Sequence, residues 1–110
     1  MNNAGLSRGK LVAEGTYHDN SITLRTNLLA PFLLLKEFLP YMVQKNHGHI
    51  VNVSSLSAYI PPAGLADYAA SKAGLIALHE VNPFFPYVIS HIGPTILLTN
   101  SLYTYKSPLA

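Results

Sequence analysis

Tyr68 and Lys72 are separated by three residues in the segment DYAASKAG, residues 67–74. On a helix this spacing places the phenol and the ammonium on one face, one turn apart. Ser55 lies thirteen residues before Tyr68, at the end of the β-branched run IVNVSS. A phenol is a weak acid with a pKa of about 10, and an ammonium at about 4 Å stabilises its anion by roughly 4 kcal/mol at an effective dielectric constant of about 20. The three side chains therefore predict proton transfer at a substrate oxygen, with Tyr68 as general acid–base and Ser55 as hydrogen-bond partner of that oxygen.

The spacing alone does not identify such a site, because Tyr41 and Lys45 repeat it. Tyr41 follows Pro40 and has no β-branched run before it, so we interpret the second pair as the solvated end of a helix. For Tyr68 and Lys72 taken alone, a half-buried tyrosine beside a lysine with its stem on apolar surface is the more frequent arrangement. The residues around a Tyr-x-x-x-Lys pair must therefore decide whether the pair forms a proton-transfer site.

The composition predicts one unit with an apolar surface. The chain has 110 residues, which is enough for one core. Of these residues, 49% are hydrophobic and only 11% are charged. Such a surface indicates that another body covers it or that the chain is part of a larger one. The seven basic residues are scattered and the net charge is only +2, which argues against nucleic-acid binding. The absence of cysteine excludes disulfides and thiolate sites, and the predicted location is intracellular, either cytoplasmic or peripherally membrane-associated.

Neither a membrane span nor a metal site is predicted. The apolar stretches at 28–35 and 84–98 contain prolines and are shorter than the roughly 20 residues that a spanning helix needs. His47 and His49 lie in a turn with no acidic residue or cysteine nearby, which favours ordinary surface histidines over metal ligands.

The first long apolar segment predicts a helix that begins after a cap at Asn20 or Ser21 and ends near Lys45. Its apolar residues cover more than one face, so burial on two sides is predicted. Pro31 lies inside this helix and has no N–H to donate to the Asn27 carbonyl. A bend with a freed Asn27 carbonyl is therefore predicted there.

The rest of the chain alternates strands and helices. Residues 49–55 predict a short buried strand, residues 65 to about 81 an alanine-rich helix, and residues 87–92 a further strand. Buried strands that alternate with helices are typical of an α/β fold with a parallel sheet.

Five motifs follow one another along the chain: NNAG at residues 2–5, Asn27, Ser55, Tyr68 with Lys72, and PTILLT at residues 94–99. With these motifs in this order, the chain resembles the short-chain dehydrogenase/reductase family. Residues 1–80 match closely and residues 81–110 diverge, and the resemblance is greatest to the retinol and hydroxysteroid dehydrogenase-like branch.

The resemblance implies a site and a fold. The implied catalytic tetrad is Asn27, Ser55, Tyr68 and Lys72, in which Lys72 stabilises the phenolate and the Asn27 carbonyl holds a water of the proton relay. The implied cofactor is NAD or NADP, held by Asn2, Ala4, Gly5, Tyr68, Lys72, Pro94, Thr95 and Thr99. The implied fold is one incomplete domain, residues 1–110, with a partial Rossmann-type doubly wound parallel sheet. That sheet runs from the end of strand 4 to about strand 6 and lacks the N-terminal βαβ units.

The resemblance also implies the reaction, which is hydride transfer between the nicotinamide and a secondary alcohol or carbonyl compound. The apolar loop after Ser55 favours a lipophilic substrate. The sequence contains no G-x-G-x-x-G turn for the pyrophosphate. The isolated chain is therefore predicted to be a fragment that does not bind NAD(P) with useful affinity. The alternative is a non-catalytic remnant that dimerises through helices at about 22–45 and 65–81, and self-association is predicted in either case.

Overall fold

The described part of the chain folds as three α-helices joined by extended segments and turns, followed by a pair of strands. The computed structural model describes residues 1–81 throughout and, as backbone, residues 87–92 and 95–100. Among the described residues, no helix is both long enough and apolar enough to traverse a bilayer. The elements are α1 (Tyr17–Leu24), a π-helical turn (Arg25–Leu29), α2 (Ala30–Lys45), a 3-10 turn (Leu56–Ala58), α3 (Ala66–Glu80), β1 (Tyr87–Ile92) and β2 (Thr95–Asn100).

A Thr-x-x-Asp sequence starts α1. The Thr16 hydroxyl accepts a hydrogen bond from the Asp19 N–H at 3.1 Å, and the Asp19 carboxylate accepts one from the Thr16 N–H at 3.3 Å. This capping box pairs N–H groups that a helix N-terminus otherwise leaves open. The predicted cap at Asn20 or Ser21 is wrong, because the Asn20 N–H already donates to the Thr16 carbonyl inside the first turn.

The long first helix is interrupted where its proline lies. The Ala30 N–H bonds to the Arg25 carbonyl, five residues earlier, which widens the helix over the π-helical turn. Pro31 has no N–H for the Asn27 carbonyl, so the regular α-helical ladder cannot pass through this point. The irregularity predicted at Pro31 therefore takes the form of a π-helical turn, and Asn27 within it is fully buried.

The apolar surface of α2 is buried on one side only. Pro31 and Leu35 are buried, and the groove beside Leu35 is lined by Met1 and Ile50. Within the described residues, no element covers the opposite side, so the predicted burial on two sides is wrong for this chain. Large hydrophobic side chains that stay about half exposed or more along α2 are Phe32, Leu33, Leu34, Phe38 and Tyr41.

Residues 49–55 are extended but do not form a regular strand. The Asn2 N–H donates to the Val51 carbonyl at 2.7 Å, and the Val53 N–H donates to the Asn2 carbonyl at 2.9 Å. These two bonds form a single parallel bridge between Asn2 and Asn52. The strand predicted here is wrong as a regular element, because a ladder needs several consecutive partners and residues 1–5 pair at one position.

The helix predicted over residues 65 to about 81 is confirmed as α3. Leu75 and Ile76 are buried on its inner face. A Cβ added at Gly74 would lie 2.8 Å from a Leu28 methyl. The missing side chain therefore lets α3 approach the π-helical turn closely, which sets the position of the helix that carries Tyr68.

The strand predicted at residues 87–92 is present as β1. It pairs with β2 in an antiparallel register that runs from Tyr87 opposite Asn100 to Ile92 opposite Thr95. The described chain therefore contains one parallel bridge and one antiparallel pair, within an overall arrangement of helices and extended segments that is α/β.

The one-sided burial of α2 predicts very different costs for two leucine truncations. Leu75 is 1% exposed, whereas Leu33 is 52% exposed. Leu75→Ala is expected to lower the free energy of unfolding by about 2–5 kcal/mol, because it leaves a cavity, and Leu33→Ala by less than about 1 kcal/mol. Urea denaturation followed by circular dichroism measures both. Equal costs would show that the α2 face is covered in solution.

Candidate active site

Three segments of the chain meet at one open cleft of about 560 Å³. The first segment follows the parallel bridge, the second ends the extended run, and the third is the start of α3. Residues that line the cleft are Asn3, Gly5, Leu6, Ser7, Val53, Ser54, Ser55, Leu65, Tyr68 and Lys72. The sequence-predicted Ser55, Tyr68, Lys72 and Gly5 are thus brought together.

Lys72 is the buried charge of this cleft. Its Nζ donates to the Val53 carbonyl at 2.9 Å and lies 5.7 Å from the centroid of the Tyr68 ring. The residue is only 3% exposed, and this burial lowers the pKa of the Lys72 ammonium below its ordinary value of 10.5. The Lys72 cation therefore lies over the Tyr68 ring at the cleft.

The second Tyr-x-x-x-Lys sequence shows what the spacing alone provides. Lys45 Nζ lies 5.9 Å from the centroid of the Tyr41 ring, nearly the distance in the first pair. Tyr41 is 64% exposed and does not line the cleft that contains Tyr68 and Lys72. Helical spacing therefore sets the distance between ring and amine, and burial of the lysine against a backbone carbonyl is what distinguishes Tyr68 and Lys72.

Two adjacent serines have different environments. Ser55 is the N-cap of the 3-10 turn, where its Oγ accepts from the Ser57 N–H at 3.2 Å and donates to Ser57 Oγ at 3.3 Å. It lines the cleft and is partly exposed, so its hydroxyl can rotate towards a ligand. Ser54 is buried and donates to the Lys72 carbonyl at 2.9 Å, which ties the extended run to α3.

The Asn27 side chain lies behind the cleft. Its Nδ2 donates to the Leu6 carbonyl at 2.8 Å and to Ser71 Oγ at 3.0 Å, and its Oδ1 accepts from the Leu6 N–H at 2.9 Å. Ser71 Oγ in turn donates to the Tyr68 carbonyl at 2.6 Å. Asn27 therefore joins the π-helical turn, the cleft wall at Leu6 and the tyrosine-bearing turn of α3.

Only some of the residues predicted to hold a cofactor lie at the cleft. A Cβ added at Gly5 would lie 3.2 Å from Lys72 Nζ, so the Gly5 backbone lies directly against the lysine, and Ala4 beside it is exposed. Asn2 points elsewhere, because its Nδ2 donates to Asn52 Oδ1 at 2.7 Å. Pro94 lies outside the described residues. Thr95 and Thr99 belong to β2, for which the structure describes only the backbone.

Sequence reasoning missed the polar core beneath the site. Asn52 and His79 are each 1% exposed, and their Nδ2 and Nδ1 atoms are 3.0 Å apart. It also missed Leu6 and Ser7 as walls of the cleft. Their place immediately after the NNAG segment is the one local signal that pointed to them.

Comparisons with known proteins agree with this geometry. Dehydrogenase RED2 of Cochliobolus heterostrophus is 41% identical over 80 residues, which are 73% of this chain and 30% of that protein. Retinol dehydrogenase 10 of Xenopus tropicalis is also 41% identical over 80 residues, 24% of its length. The chain therefore spans less than a third of either relative.

A solved structure supports the same fold. A 4-hydroxyisoleucine dehydrogenase complexed with NADH superimposes with a TM-score of 0.69 at 31% identity, covering 73% of this chain and 36% of that one. The family model for the short chain dehydrogenases matches residues 1–82. With the tyrosine, lysine and serine on one cleft, this match shows that the chain belongs to the short-chain dehydrogenase family.

Proposed function

We propose that this chain carries the proton-transferring part of an NAD(P)-dependent oxidoreductase that interconverts a secondary alcohol and a carbonyl compound. The observation that carries the proposal is the buried Lys72 ammonium, held by the Val53 carbonyl and set 5.7 Å from the Tyr68 ring in the cleft that Ser55 also lines. A buried cation beside a phenol costs stability, and a proton-transfer site is a reason to retain it.

The chain's own residues would divide the proton chemistry as follows. In the oxidation direction, Tyr68 Oη accepts the proton of the substrate hydroxyl, and in the reduction direction it returns that proton to the carbonyl oxygen. Ser55 Oγ donates a hydrogen bond to the same oxygen and orients it. Lys72 stabilises the phenolate form of Tyr68 in both directions. The Asn27 carbonyl, which Pro31 leaves without its helical partner, is proposed to hold a relay water.

A nicotinamide cofactor, when bound, supplies or accepts the hydride. The residues present fit its ribose and nicotinamide end, because the bare Gly5 backbone approaches Lys72 where a Cβ would come within 3.2 Å of Nζ. Lys72 and Tyr68 are proposed to hold the ribose, with Ala4 and Gly5 beside it. Asn2 would act indirectly, by fixing this segment through Asn52. For Pro94, Thr95 and Thr99 the proposal rests on the sequence motif alone.

The proposed setting is one domain with a Rossmann-type parallel sheet, of which this chain supplies the part around the Tyr-bearing helix. The parallel bridge between Asn2 and Asn52 supports this arrangement. The NADH in the similar 4-hydroxyisoleucine dehydrogenase supports a nicotinamide cofactor, and the choice between NAD and NADP stays open.

A lipophilic substrate is proposed because apolar side chains flank the reacting groups. Leu6, Val53 and Leu65 line the cleft beside Tyr68, and apolar contacts stabilise an apolar ligand in proportion to the area buried. The similarity to a protein named for retinol, an apolar alcohol, points in the same direction.

The first prediction concerns Tyr68 and uses a chimera that supplies the rest of the cofactor site. Residues 1–82 of this chain replace the equivalent segment of the similar dehydrogenase RED2. The chimera is expected to reduce NAD or NADP with a lipophilic secondary alcohol, and Tyr68→Phe is expected to lower kcat by about 100- to 10,000-fold, because the general acid–base is lost. Absorbance at 340 nm measures the rate.

The duplicated motif provides the matched control. Tyr41→Phe removes the same hydroxyl from a pair with nearly the same ring–amine distance and is expected to leave kcat within about twofold. A folded, cofactor-binding chimera without turnover would contradict the proposed function, as would equal losses in the two variants.

The lowered pKa of Lys72 predicts a pH-dependent stability in the 110-residue chain. The folded state binds the Lys72 proton less tightly than the unfolded state does, so the unfolded state carries more protons as the pH approaches 10.5. Stability therefore rises with pH in that window. We expect the free energy of unfolding of the wild type to increase relative to that of Lys72→Met between pH 7.5 and about 10.5. Lys45→Met is the control, and a parallel pH dependence of wild type and Lys72→Met would disprove the burial of a charged lysine.

The second candidate function is a non-catalytic interaction module. The half-exposed side chains of α2, Phe32, Leu33, Leu34 and Phe38, favour a homodimer through helices at about 22–45 and 65–81. Sedimentation velocity of the 110-residue chain is expected to show a dimer or larger species, and Phe38→Glu to shift it towards monomer. A wild-type monomer at tens of micromolar would contradict this module. Calorimetry with NAD and NADP on the same sample is expected to show no micromolar binding in either case, so cofactor-dependent alcohol oxidation by the RED2 chimera is the measurement that separates the module from the enzyme.

A further inference from the structure

One carboxylate closes the loop that follows the cleft wall. Arg8 Nε donates to Asp19 Oδ1 at 3.0 Å, and Lys10 Nζ donates to Asp19 Oδ2 at 2.9 Å. The Thr16 N–H and hydroxyl donate to the same Oδ2 at 3.3 and 2.8 Å. Asp19 therefore holds both ends of residues 8–16. We name Asp19 with Arg8, Lys10 and Thr16 the Asp19 clasp.

The backbone of the loop is shaped for this convergence. Gly9 has φ 65°, a left-handed conformation that side-chain-bearing residues rarely adopt. It bends the chain between the two cations that reach a single carboxylate. Beyond it, the N–H groups of Glu14 and Gly15 both donate to the Leu11 carbonyl at 3.0 Å, which turns the chain back towards Thr16.

The carboxylate of the clasp is fixed in its charged form. The Asp19 side chain is 7% exposed. Hydrogen bonds from Lys10, then Arg8, then Thr16 hold the pKa of Asp19 well below its usual range. Exposed ion pairs contribute little individually, but here four donors meet one nearly buried carboxylate, and removing it would leave all four without their common acceptor.

The clasp begins one residue after the cleft. Leu6 and Ser7 line the cleft beside Lys72. Leu6 is held from one side, since both its N–H and its carbonyl bond to the Asn27 amide. Ser7 is followed directly by Arg8, which belongs to the Asp19 clasp. The wall of the cleft, Leu6 and Ser7, therefore lies between two points of attachment, the Asn27 amide and the Asp19 carboxylate.

We propose that Asp19 is a positioning residue for the cleft, which it serves by clasping Arg8, Lys10 and Thr16 and so holding Leu6 and Ser7 at the ligand. This inference rests on the proposed function only for the identity of that ligand. The expected consequence of a loosened wall is weaker ligand binding with unchanged proton chemistry, because Tyr68 and Lys72 are fixed from α3.

Hydrogen exchange by mass spectrometry tests the clasp in the 110-residue chain. Asp19→Asn is expected to speed exchange of the hydrogen-bonded amides within residues 6–16, those of Leu6, Glu14, Gly15 and Thr16, by about tenfold or more while the amides of α3 keep their rates. Asp19→Glu, which preserves the charge, is expected to restore most of the protection. The double variant Arg8→Gln with Lys10→Gln is expected to loosen the loop while the helix cap stays intact. Glu14→Gln, in the same loop, is the neutral control.

A chemical readout at the cleft complements the exchange. Lys72 is 3% exposed beside Gly5, so its acylation by an N-hydroxysuccinimide ester is expected to accelerate several-fold in Asp19→Asn, whereas the exposed Lys36 serves as internal reference. In the RED2 chimera, Asp19→Asn is expected to raise KM several-fold with kcat within about twofold.

The outcomes separate the two proposals. Unchanged exchange of residues 6–16 in Asp19→Asn would overturn the clasp, as would a loss of protection that extends equally through α3. A loosened loop with unchanged Lys72 acylation would overturn its positioning role. An inactive chimera would count against the proposed function, while exchange and acylation still decide the clasp.

Discussion

The contact between the Lys72 ammonium and the Val53 carbonyl is the constraint on which the rest of the site depends. A charged amine removed from water costs several kcal/mol unless it finds hydrogen-bond acceptors, and the acceptor here is supplied by the extended run. The Lys72 backbone is engaged as well, because Ser54 donates to its carbonyl. One residue thus fixes α3 to the extended run through both its main chain and its side chain.

Buried polar contacts elsewhere continue the same arrangement. Asn27 links the cleft wall to Ser71, and Asn52 links the parallel bridge to His79. Buried hydrogen bonds of this kind contribute modestly to stability when satisfied, but each group is costly if left unpaired. Wrong arrangements of the same elements are therefore penalised strongly. The core specifies its geometry largely through amide and hydroxyl groups, around the apolar residues Leu35, Ala69, Leu75 and Ile76.

Features that are set by residues close together in the sequence could be predicted from the sequence. The pairing of Tyr68 with Lys72 is set by helical spacing, so it was predictable, and the duplicate at Tyr41 shows the same ring–amine distance. The start of α1 was missed because the Thr16 capping box lies in a polar, glycine-containing stretch that resembles a loop. The strand at residues 49–55 was overestimated, since β-branched composition indicates extended backbone but not the presence of a neighbour.

Features that depend on distant residues were beyond the sequence. The amide of Asn27 bonds to residues 21 and 44 positions away, and no local pattern indicates such partners. The family resemblance directed attention to the Asn27 carbonyl and passed over the side chain. The same holds for the exposed face of α2, because helical periodicity shows that a face is apolar but not what lies against it.

The π-helical turn behaves as a one-residue insertion in an otherwise continuous helix. A π-helical turn uses one residue more than an α-helical turn for about the same rotation, so it holds the additional residue while α1 and α2 keep their relative directions. Asp19 on α1 thus meets Arg8, while Asn27 inside the wide turn meets Leu6. A frame-preserving deletion of a single codon within residues 25–29 would therefore restore a regular helix with α1 in place and remove the wide turn that presents Asn27 to Leu6, which makes the length of this helix, and not only its composition, a heritable part of the site.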